Sequence, residues 1–191
     1  MSKLEHFYQQ PEFDEEWFTY LTLYTEMVQQ FPSGSKFVEV GCWKGRSAAY
    51  MCVEIANSNK DIDFYCVDIW EVGEEHAEQE PHLKYLYDIF LTNTKPVEAY
   101  YKPMKIPSVD AAKKFKDESL DFVFIDAGHE YDAVKSDILA WFPKVKPGGI
   151  LAGHDLYPTE PTWGDVHKVV EELFPNKYES RIEESCFLVR K

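Results

Sequence analysis

The chain has 191 residues, of which 45% are hydrophobic, so its length and composition suit one domain with an apolar core. A formal net charge of -14 at pH 7 argues against nucleic acids and anionic membranes as partners, because both are negatively charged. The sequence has neither an apolar run long enough to span a bilayer nor the basic and apolar start of a signal peptide, so we expect a cytoplasmic location.

The first predicted element is an N-terminal helical segment within residues 1–34. A helix near residues 14–30 would present aromatic and aliphatic side chains to one side, as an amphipathic helix does. That side would pack either on the sheet of its own chain or on a second subunit. Both arrangements stay open, with a slight preference for a homodimer.

The rest of the chain alternates strand-like runs with amphipathic helical segments, a pattern typical of an α/β fold with a parallel sheet. The two runs near the end, KYESRI and SCFLVR, predict a closing hairpin whose last strand is antiparallel to its neighbours. Strands are predicted at 36–40, 62–68, 121–126 and 149–153, with a weaker strand at 102–106, and helices at 46–57, 130–142 and 164–174.

An insertion at residues 71–95 interrupts this alternation. Its beginning is rich in acidic residues, and its second half contains the run HLKYLYDIFL. We interpret the insertion as a helical lid. The whole chain, residues 1–191, is expected to form a single domain.

A glycine-containing turn follows the first predicted strand, in FVEVGCWKGRS. Gly41 and Gly45 bracket a tight turn before a helix, which lets backbone N–H groups approach a ligand, although such glycines are equally compatible with a plain turn. Asp68 closes the second strand where nucleotide-binding folds place an acid for ribose hydroxyls. Glu39 suits a cationic cofactor that bears an amino acid. The absence of GxGxxG disfavours an NAD-dependent oxidoreductase.

Four polar residues follow two other strands: Asp126, His129, His154 and Asp155. Because the carboxyl ends of parallel strands meet at one edge of a sheet, these side chains should converge. Two carboxylates with an imidazole suit Mg²⁺ or Mn²⁺. The structural alternative is that Asp126 caps the next helix and Asp155 anchors a turn. The occurrence of all four together favours a functional site.

These segments together resemble one family. The motifs E-V-G-x-x-x-G-R-S, V-D-I-W, F-I-D-A-G-H-x-Y-x-x-V-x-x-D and K-P-G-G-I-L-A-G-H-D are similar to those of class I S-adenosylmethionine-dependent methyltransferases. They resemble in particular the branch with metal-dependent sugar O-methyltransferases and cephalosporin-hydroxylase-like proteins. The resemblance runs from about Phe37 to Val170 and implies a Rossmann-like, mostly parallel seven-stranded sheet with an antiparallel C-terminal strand and helices on both faces.

The resemblance also implies roles for individual residues. S-adenosylmethionine would contact Glu39, Gly41 and Ser47 with its methionine part, Asp68 with its ribose, and Ile69 and the stretch from Met104 to Ser108 with its adenine. Gly45 and Asp126 complete the expected cofactor-binding residues. The divalent cation, for which Mg²⁺ is the first choice, would be held by Asp126 and Asp155, and His129 would act as the base. His154 stands where some relatives carry another acid, and we expect it as the third metal ligand because it converges with the two aspartates.

The implied activity is O-methylation of a small hydroxylated molecule, such as a sugar or a glycosylated metabolite. Two alternatives remain at this point. The chain could be a non-catalytic module that binds an adenosyl ligand or a partner protein, or, with less support, an NAD-dependent oxidoreductase.

Overall fold

A computed structural model of the chain describes residues 3–13, 17–72, 80–157 and 164–191. Within these ranges the strands are β1 (Lys36–Val40), β2 (Asp63–Asp68), β3 (Lys102–Lys105), β4 (Leu120–Ile125), β5 (Val145–Gly153), β6 (Glu179–Arg181) and β7 (Cys186–Arg190). They form one seven-stranded sheet in the order β3-β2-β1-β4-β5-β7-β6. The first five strands pair in parallel, whereas β7 is antiparallel to both β5 and β6. The predicted fold and its antiparallel ending are confirmed.

Strand β5 differs from the prediction because it begins at Val145 and not at residue 149. The intervening Pro147 and Gly148 carry a turn signal, and Gly148 has a φ of 82°. The pairing of β4 with β5 absorbs this stretch as a register shift between Leu120 and Phe122. Strand β5 therefore continues through an irregularity of its pairing at the residues where the sequence pattern predicts that the strand has not yet begun.

The helices of the described ranges are α1 (Leu21–Gln30), α2 (Arg46–Ser58), α3 (Leu86–Asn93), α4 (Ser108–Ala112), α5 (Tyr131–Trp141) and α6 (Gly164–Leu173). Short 3-10 turns occur at Pro11–Phe13, Pro81–Tyr85, Lys95–Tyr100, Phe142–Lys144 and Ile182–Glu184. In the part of the chain that the structure describes, no helix combines the length and apolar character needed to cross a membrane.

The predicted N-terminal helix is wrong at its beginning. Residues 17–20 are not helical, and residues 14–16 lie outside the described ranges. A tertiary contact holds this stretch away from helical geometry, since the Thr19 hydroxyl donates to the Glu184 carbonyl oxygen at 3.0 Å. The helix starts only at Leu21.

Two apolar layers cover the two faces of the sheet. Alternate residues of the central strands face opposite sides, so Phe37 and Phe122 pack with α1 and α2, whereas Val38 and Val123 pack with α5 and α6. All four cysteines are free and buried within these layers.

Helix α1 packs on its own sheet through Leu23, Tyr24, Met27 and Val28, which are buried. Its carboxyl end is fastened by Lys60, whose ammonium group donates to the carbonyl oxygens of Val28, Gln29 and Phe31 at 2.6, 2.8 and 2.7 Å. This side of the helix is therefore covered within the chain, and the homodimer stays a prediction.

The second half of the predicted insertion is helical, as expected, through Pro81–Tyr85 and α3. Leu83 and Phe90 are buried in the same apolar layer as α1. Residues 73–79 of the insertion lie outside the described ranges. That the insertion acts as a lid stays a prediction.

Candidate active site

The turn after β1 has the tight geometry that its glycines predict. Gly41 and Gly45 have φ angles of 87° and 92°, a region that side chains rarely adopt. A Cβ atom on Gly41 would overlap the carbonyl group of Asp126, and one on Gly45 would lie 2.6 Å from Thr94 Cγ2. The turn thus packs directly against the loop that follows β4 and against the end of the insertion.

The carboxylate of Asp68 stabilises this turn. Its Oδ2 accepts hydrogen bonds from the amides of Cys42 and Trp43 at 2.8 and 3.0 Å, and its Oδ1 accepts one from the amide of Trp70 at 2.7 Å. A carboxylate accepts about four hydrogen bonds, so a donor such as a ribose hydroxyl still has a place on it. The predicted contact with ribose stays a prediction.

Glu39 lies under the turn and is fully buried. Its Oε1 accepts hydrogen bonds from the hydroxyl of Tyr24, at 3.0 Å, and from that of Ser47, whereas Oε2 has no partner within the described residues. Burial raises the pKa of Glu39 to about 8, although the hydrogen bonds from Ser47 and Tyr24 oppose the shift. A buried carboxylate oxygen without a donor fits a cofactor that brings a positively charged group to the turn.

The two residues predicted beside adenine occupy different surroundings. Ile69 follows β2 with 44% of its surface exposed. The hydroxyl of Ser108 instead accepts a hydrogen bond from Trp141 Nε1 at 2.9 Å and so joins α4 to α5. The role of both residues in adenine binding stays a prediction.

The four polar residues after β4 and β5 converge, as expected. One potential ligand atom from each of Asp126, His154 and Asp155 lies within 4.8 Å of the others. His154 Nδ1 is 3.2 Å from Asp155 Oδ1 and 3.6 Å from Asp126 Oδ1. His129 Nε2 is 2.7 Å from Asp155 Oδ2. We call these four residues the carboxylate–histidine cluster.

The structural alternative is wrong for Asp126 and stays open for Asp155, which lies in a turn where its carbonyl oxygen accepts from the amide of Tyr157 at 2.9 Å. Helix α5 has Glu130 at its N-cap and no capping hydrogen bond from a side chain. Asp126 instead accepts a hydrogen bond from the hydroxyl of Tyr20. Asp155 has a φ of 59°, and its carboxylate contacts two imidazole rings. Both carboxylates therefore belong to the carboxylate–histidine cluster.

The carboxylates and imidazoles of the cluster shift one another's pKa values, each favouring the charged form of the other. Burial lowers the pKa of His154, but the carboxylates of Asp126 and Asp155 outweigh it and raise this pKa to about 10. The pKa of His129 is likewise raised, because Asp155 outweighs the effect of burial. Burial raises the pKa of Asp155, and its two imidazole partners lower it well below the usual range. Two carboxylates facing one imidazole are a donor set that fits Mg²⁺ or Mn²⁺.

Three residues of the segment that enters and begins α1 reach the site, and none of them is predicted from the motifs. Tyr20 donates to Asp126 Oδ2 at 2.7 Å, and Tyr24 donates to Glu39. Thr19 Oγ1 lies 2.9 Å from His154 Nε2. The sequence gives one signal for these contacts: three side chains with hydroxyl groups lie in or next to a helix side that is otherwise apolar.

An exposed tryptophan lies beside the turn after β1. Trp17 is 65% exposed, and its ring centroid lies 6.2 Å from that of Trp43 in the turn after β1. It precedes Thr19, which contacts the carboxylate–histidine cluster, by two residues. Trp17 is therefore placed beside the turn after β1.

Comparison with known proteins agrees with this architecture. The solved O-methyltransferase NovP superposes with a TM-score of 0.65 at 16% identity, over 91% of this chain and 79% of that one. The MycE methyltransferase from the mycinamycin biosynthetic pathway, in complex with Mg and SAH, superposes with a TM-score of 0.58 at 16% identity, over 96% and 52% of the two chains. At these identities the likeness shows the fold.

Sequence comparison carries the family assignment. Uncharacterized protein y4gI of Sinorhizobium fredii (strain NBRC 101917 / NGR234) is 26% identical over 129 residues, which make up 68% of this chain and 14% of that protein. The chain thus spans only a small part of its curated relative. Residues 38–156 match a family model described as a methyltransferase domain. Because these residues make up more than half of the sequence, the chain belongs to this methyltransferase family, within the class I S-adenosylmethionine-dependent fold.

Proposed function

We propose that the protein transfers the methyl group of S-adenosylmethionine to a hydroxyl of a small polyhydroxylated molecule, a sugar or a glycosylated metabolite, with the help of a divalent cation. The observation that carries the proposal is the approach of Asp126, His154 and Asp155 to within 4.8 Å of one another. These residues lie beside the turn after β1, since Gly41 packs on Asp126. The donor of the methyl group and its acceptor would therefore share one cleft.

Residues under and beside the turn would bind the cofactor, which supplies the activated methyl group. The unpartnered Oε2 of Glu39 suits the cationic methionine part. Asp68 has capacity for the ribose hydroxyls while it holds the turn through the amides of Cys42 and Trp43. The N-terminal end of α2, which begins at Arg46, would add a positive potential for the carboxylate of the cofactor.

Residues of the carboxylate–histidine cluster would prepare the acceptor. Mg²⁺ or Mn²⁺ between Asp126, His154 and Asp155 would supply charge that favours deprotonation of a hydroxyl. His129 is the residue to receive the proton, and Asp155 orients its ring through the 2.7 Å contact with Nε2. Methyl transfer is a one-step displacement, so this alignment of donor and acceptor contributes much of the acceleration.

The nature of the acceptor is inferred from an exposed aromatic side chain near the turn after β1 and from structural relatives. The indole of Trp17 is 65% exposed beside Trp43 of the turn after β1, and its electron-rich face suits the C–H groups on one side of a sugar ring. Structural relatives add support, because NovP is named an O-methyltransferase and MycE was solved with Mg and SAH. A neutral, hydroxyl-rich acceptor also agrees with the net charge of -14.

Calorimetry with S-adenosylhomocysteine and with Mn²⁺ tests the two halves of the proposal separately. We expect Asp126→Asn and Asp155→Asn to weaken Mn²⁺ binding at least about tenfold, because each removes a charged ligand. Asp110→Asn serves as the matched control, since Asp110 is an exposed carboxylate paired with Lys113.

Turnover is then measured as transfer of labelled methyl groups to a panel of monosaccharides and glycosides, with and without EDTA. We expect transfer that EDTA abolishes and Mn²⁺ restores. Failure of the parent protein to bind S-adenosylhomocysteine would refute the methyltransferase activity. Transfer that is indifferent to EDTA would refute the role of the metal.

A further inference from the structure

Two hydroxyl groups from outside the matched family region contact the carboxylate–histidine cluster. The family match covers residues 38–156, whereas Thr19 and Tyr20 precede it. Thr19 is 135 residues away from His154 in sequence, and Tyr20 is 106 residues away from Asp126. Both contacts are direct hydrogen bonds, so this segment has a specific relation to the cluster.

The bonding of Thr19 determines which nitrogen of His154 keeps its hydrogen when the imidazole binds a cation. Thr19 Oγ1 lies 3.0 Å from the carbonyl oxygen of Glu184, and a carbonyl oxygen can only accept. The single hydroxyl hydrogen of Thr19 is therefore committed to Glu184. Toward His154 Nε2, at 2.9 Å, Thr19 must accept, so Nε2 bears the hydrogen. A cation that displaces the other ring proton would therefore meet the lone pair of Nδ1, which is the nitrogen that faces the two carboxylates.

Tyr20 plays the corresponding part for Asp126. Its hydroxyl donates to Asp126 Oδ2 at 2.7 Å, whereas Oδ1 faces His154. The ring of Tyr20 is only 2% exposed and packs 4.3 Å from Phe124 and 4.9 Å from His154, measured between ring centroids. A side chain held this firmly fixes the rotation of the carboxylate and leaves Oδ1 directed into the cluster.

We propose that Thr19 and Tyr20 are positioning residues of the cation site: Thr19 presents Nδ1 of His154 to the cation, and Tyr20 presents Oδ1 of Asp126. This inference rests on the proposed function, because it concerns the same cation. Hydrogen bonds that orient metal ligands commonly contribute about 10- to 100-fold to metal affinity. The site would therefore require the segment before α1 as well as the strand ends.

Mn²⁺ is the probe for the test, because its affinity can be measured by calorimetry and nitrogen coordination by pulsed electron paramagnetic resonance. Thr19→Val keeps the shape of the side chain but removes the acceptor, and Thr19→Ser restores it. Tyr20→Phe keeps the buried ring and removes only the hydroxyl. The matched controls are Thr25→Val and Tyr50→Phe, because these two residues form a hydroxyl–hydroxyl hydrogen bond of 2.8 Å with each other and not with the cluster.

We expect Thr19→Val and Tyr20→Phe each to weaken Mn²⁺ binding about 10-fold or more, with S-adenosylhomocysteine affinity unchanged. In Thr19→Val the nitrogen modulation from His154 should also diminish, and Thr19→Ser should restore it, an effect that a general loss of stability would not produce. Circular dichroism and the Tm of each variant check that it is folded.

The outcomes separate the two proposals. A parent protein that binds no Mn²⁺ overturns the cation site and this inference with it. Parent-like Mn²⁺ affinity and nitrogen modulation in Thr19→Val and Tyr20→Phe overturn the inference alone. If only one of the two variants behaves like the parent, the positioning role of that residue is wrong. Equal weakening in the control variants would also refute the inference.

Discussion

Glu39 makes the stability of the cofactor-free protein depend on pH in a direction that is unusual for a carboxylate. Its pKa rises from 4.5 to about 8 in the folded protein. Because the folded-state pKa is the higher one, this carboxyl contributes stability that is complete below pH 4.5 and lost as the pH rises towards 8. A shift of about 3.5 units corresponds to about 5 kcal/mol in total, of which about 2 kcal/mol is lost between pH 6 and pH 8.

Glu39→Gln removes this ionisation and keeps an oxygen that accepts from Tyr24 and Ser47. Urea unfolding of parent and variant at pH 6, 7 and 8, without cofactor, measures the effect. We expect the free energy of unfolding of the variant to gain about 2 kcal/mol relative to the parent across this range. Glu98→Gln, at an exposed glutamate, should show no such trend. A parent–variant difference that stays constant from pH 6 to pH 8 would refute the reasoning.

Three further predictions concern the turn after β1, the exposed Trp17 and the four cysteine thiols. Gly41→Ala should destabilise the protein by about 1–3 kcal/mol more than Gly34→Ala, as measured by urea unfolding. Both glycines have φ near 88°, but only at Gly41 would the added Cβ overlap the Asp126 carbonyl. Equal losses of stability in the two variants would contradict this packing. Trp17→Ala should raise the KM for the acceptor about two- to tenfold and leave kcat unchanged. Leu139→Ala, at another exposed apolar residue, should leave this KM unchanged. A change in kcat alone would contradict a binding role of Trp17. The four buried cysteines, whose thiol pKa values burial raises, should react with Ellman's reagent only after unfolding, so rapid reaction in the folded state would disprove their burial.

Much of the fold could be predicted because its strands are short apolar runs that end at polar residues. The strand before Gly41 was delimited to the residue, and the convergence of Asp126 with Asp155 followed from the rule that parallel strands end at one edge. The roles of these residues in binding stay predictions. The predicted beginning of β5 is wrong because Pro147 and Gly148 resemble a turn locally, whereas the strand that pairs with β4 already begins at Val145.

The contribution of the N-terminal segment could not be predicted from local patterns. Tyr20 and Tyr24 look like apolar residues of an amphipathic helix, and their hydroxyl partners lie in strands or loops elsewhere in the chain. Thr19 is held out of the helix by Glu184, which is 165 residues away. Such pairings depend on the assembled sheet and leave no periodic trace in the sequence.

Lys60 holds the end of α1 that lies opposite to Thr19 and Tyr20. Its three donated hydrogen bonds hold the negative end of α1, and the opposite end of that helix, about 15 Å away, leads into Thr19 and Tyr20. Acylation of this amine would remove its charge and leave one N–H for three carbonyl oxygens. Loss of these hydrogen bonds would loosen one end of α1, and the opposite end of the same helix leads to residues that contact the carboxylate–histidine cluster.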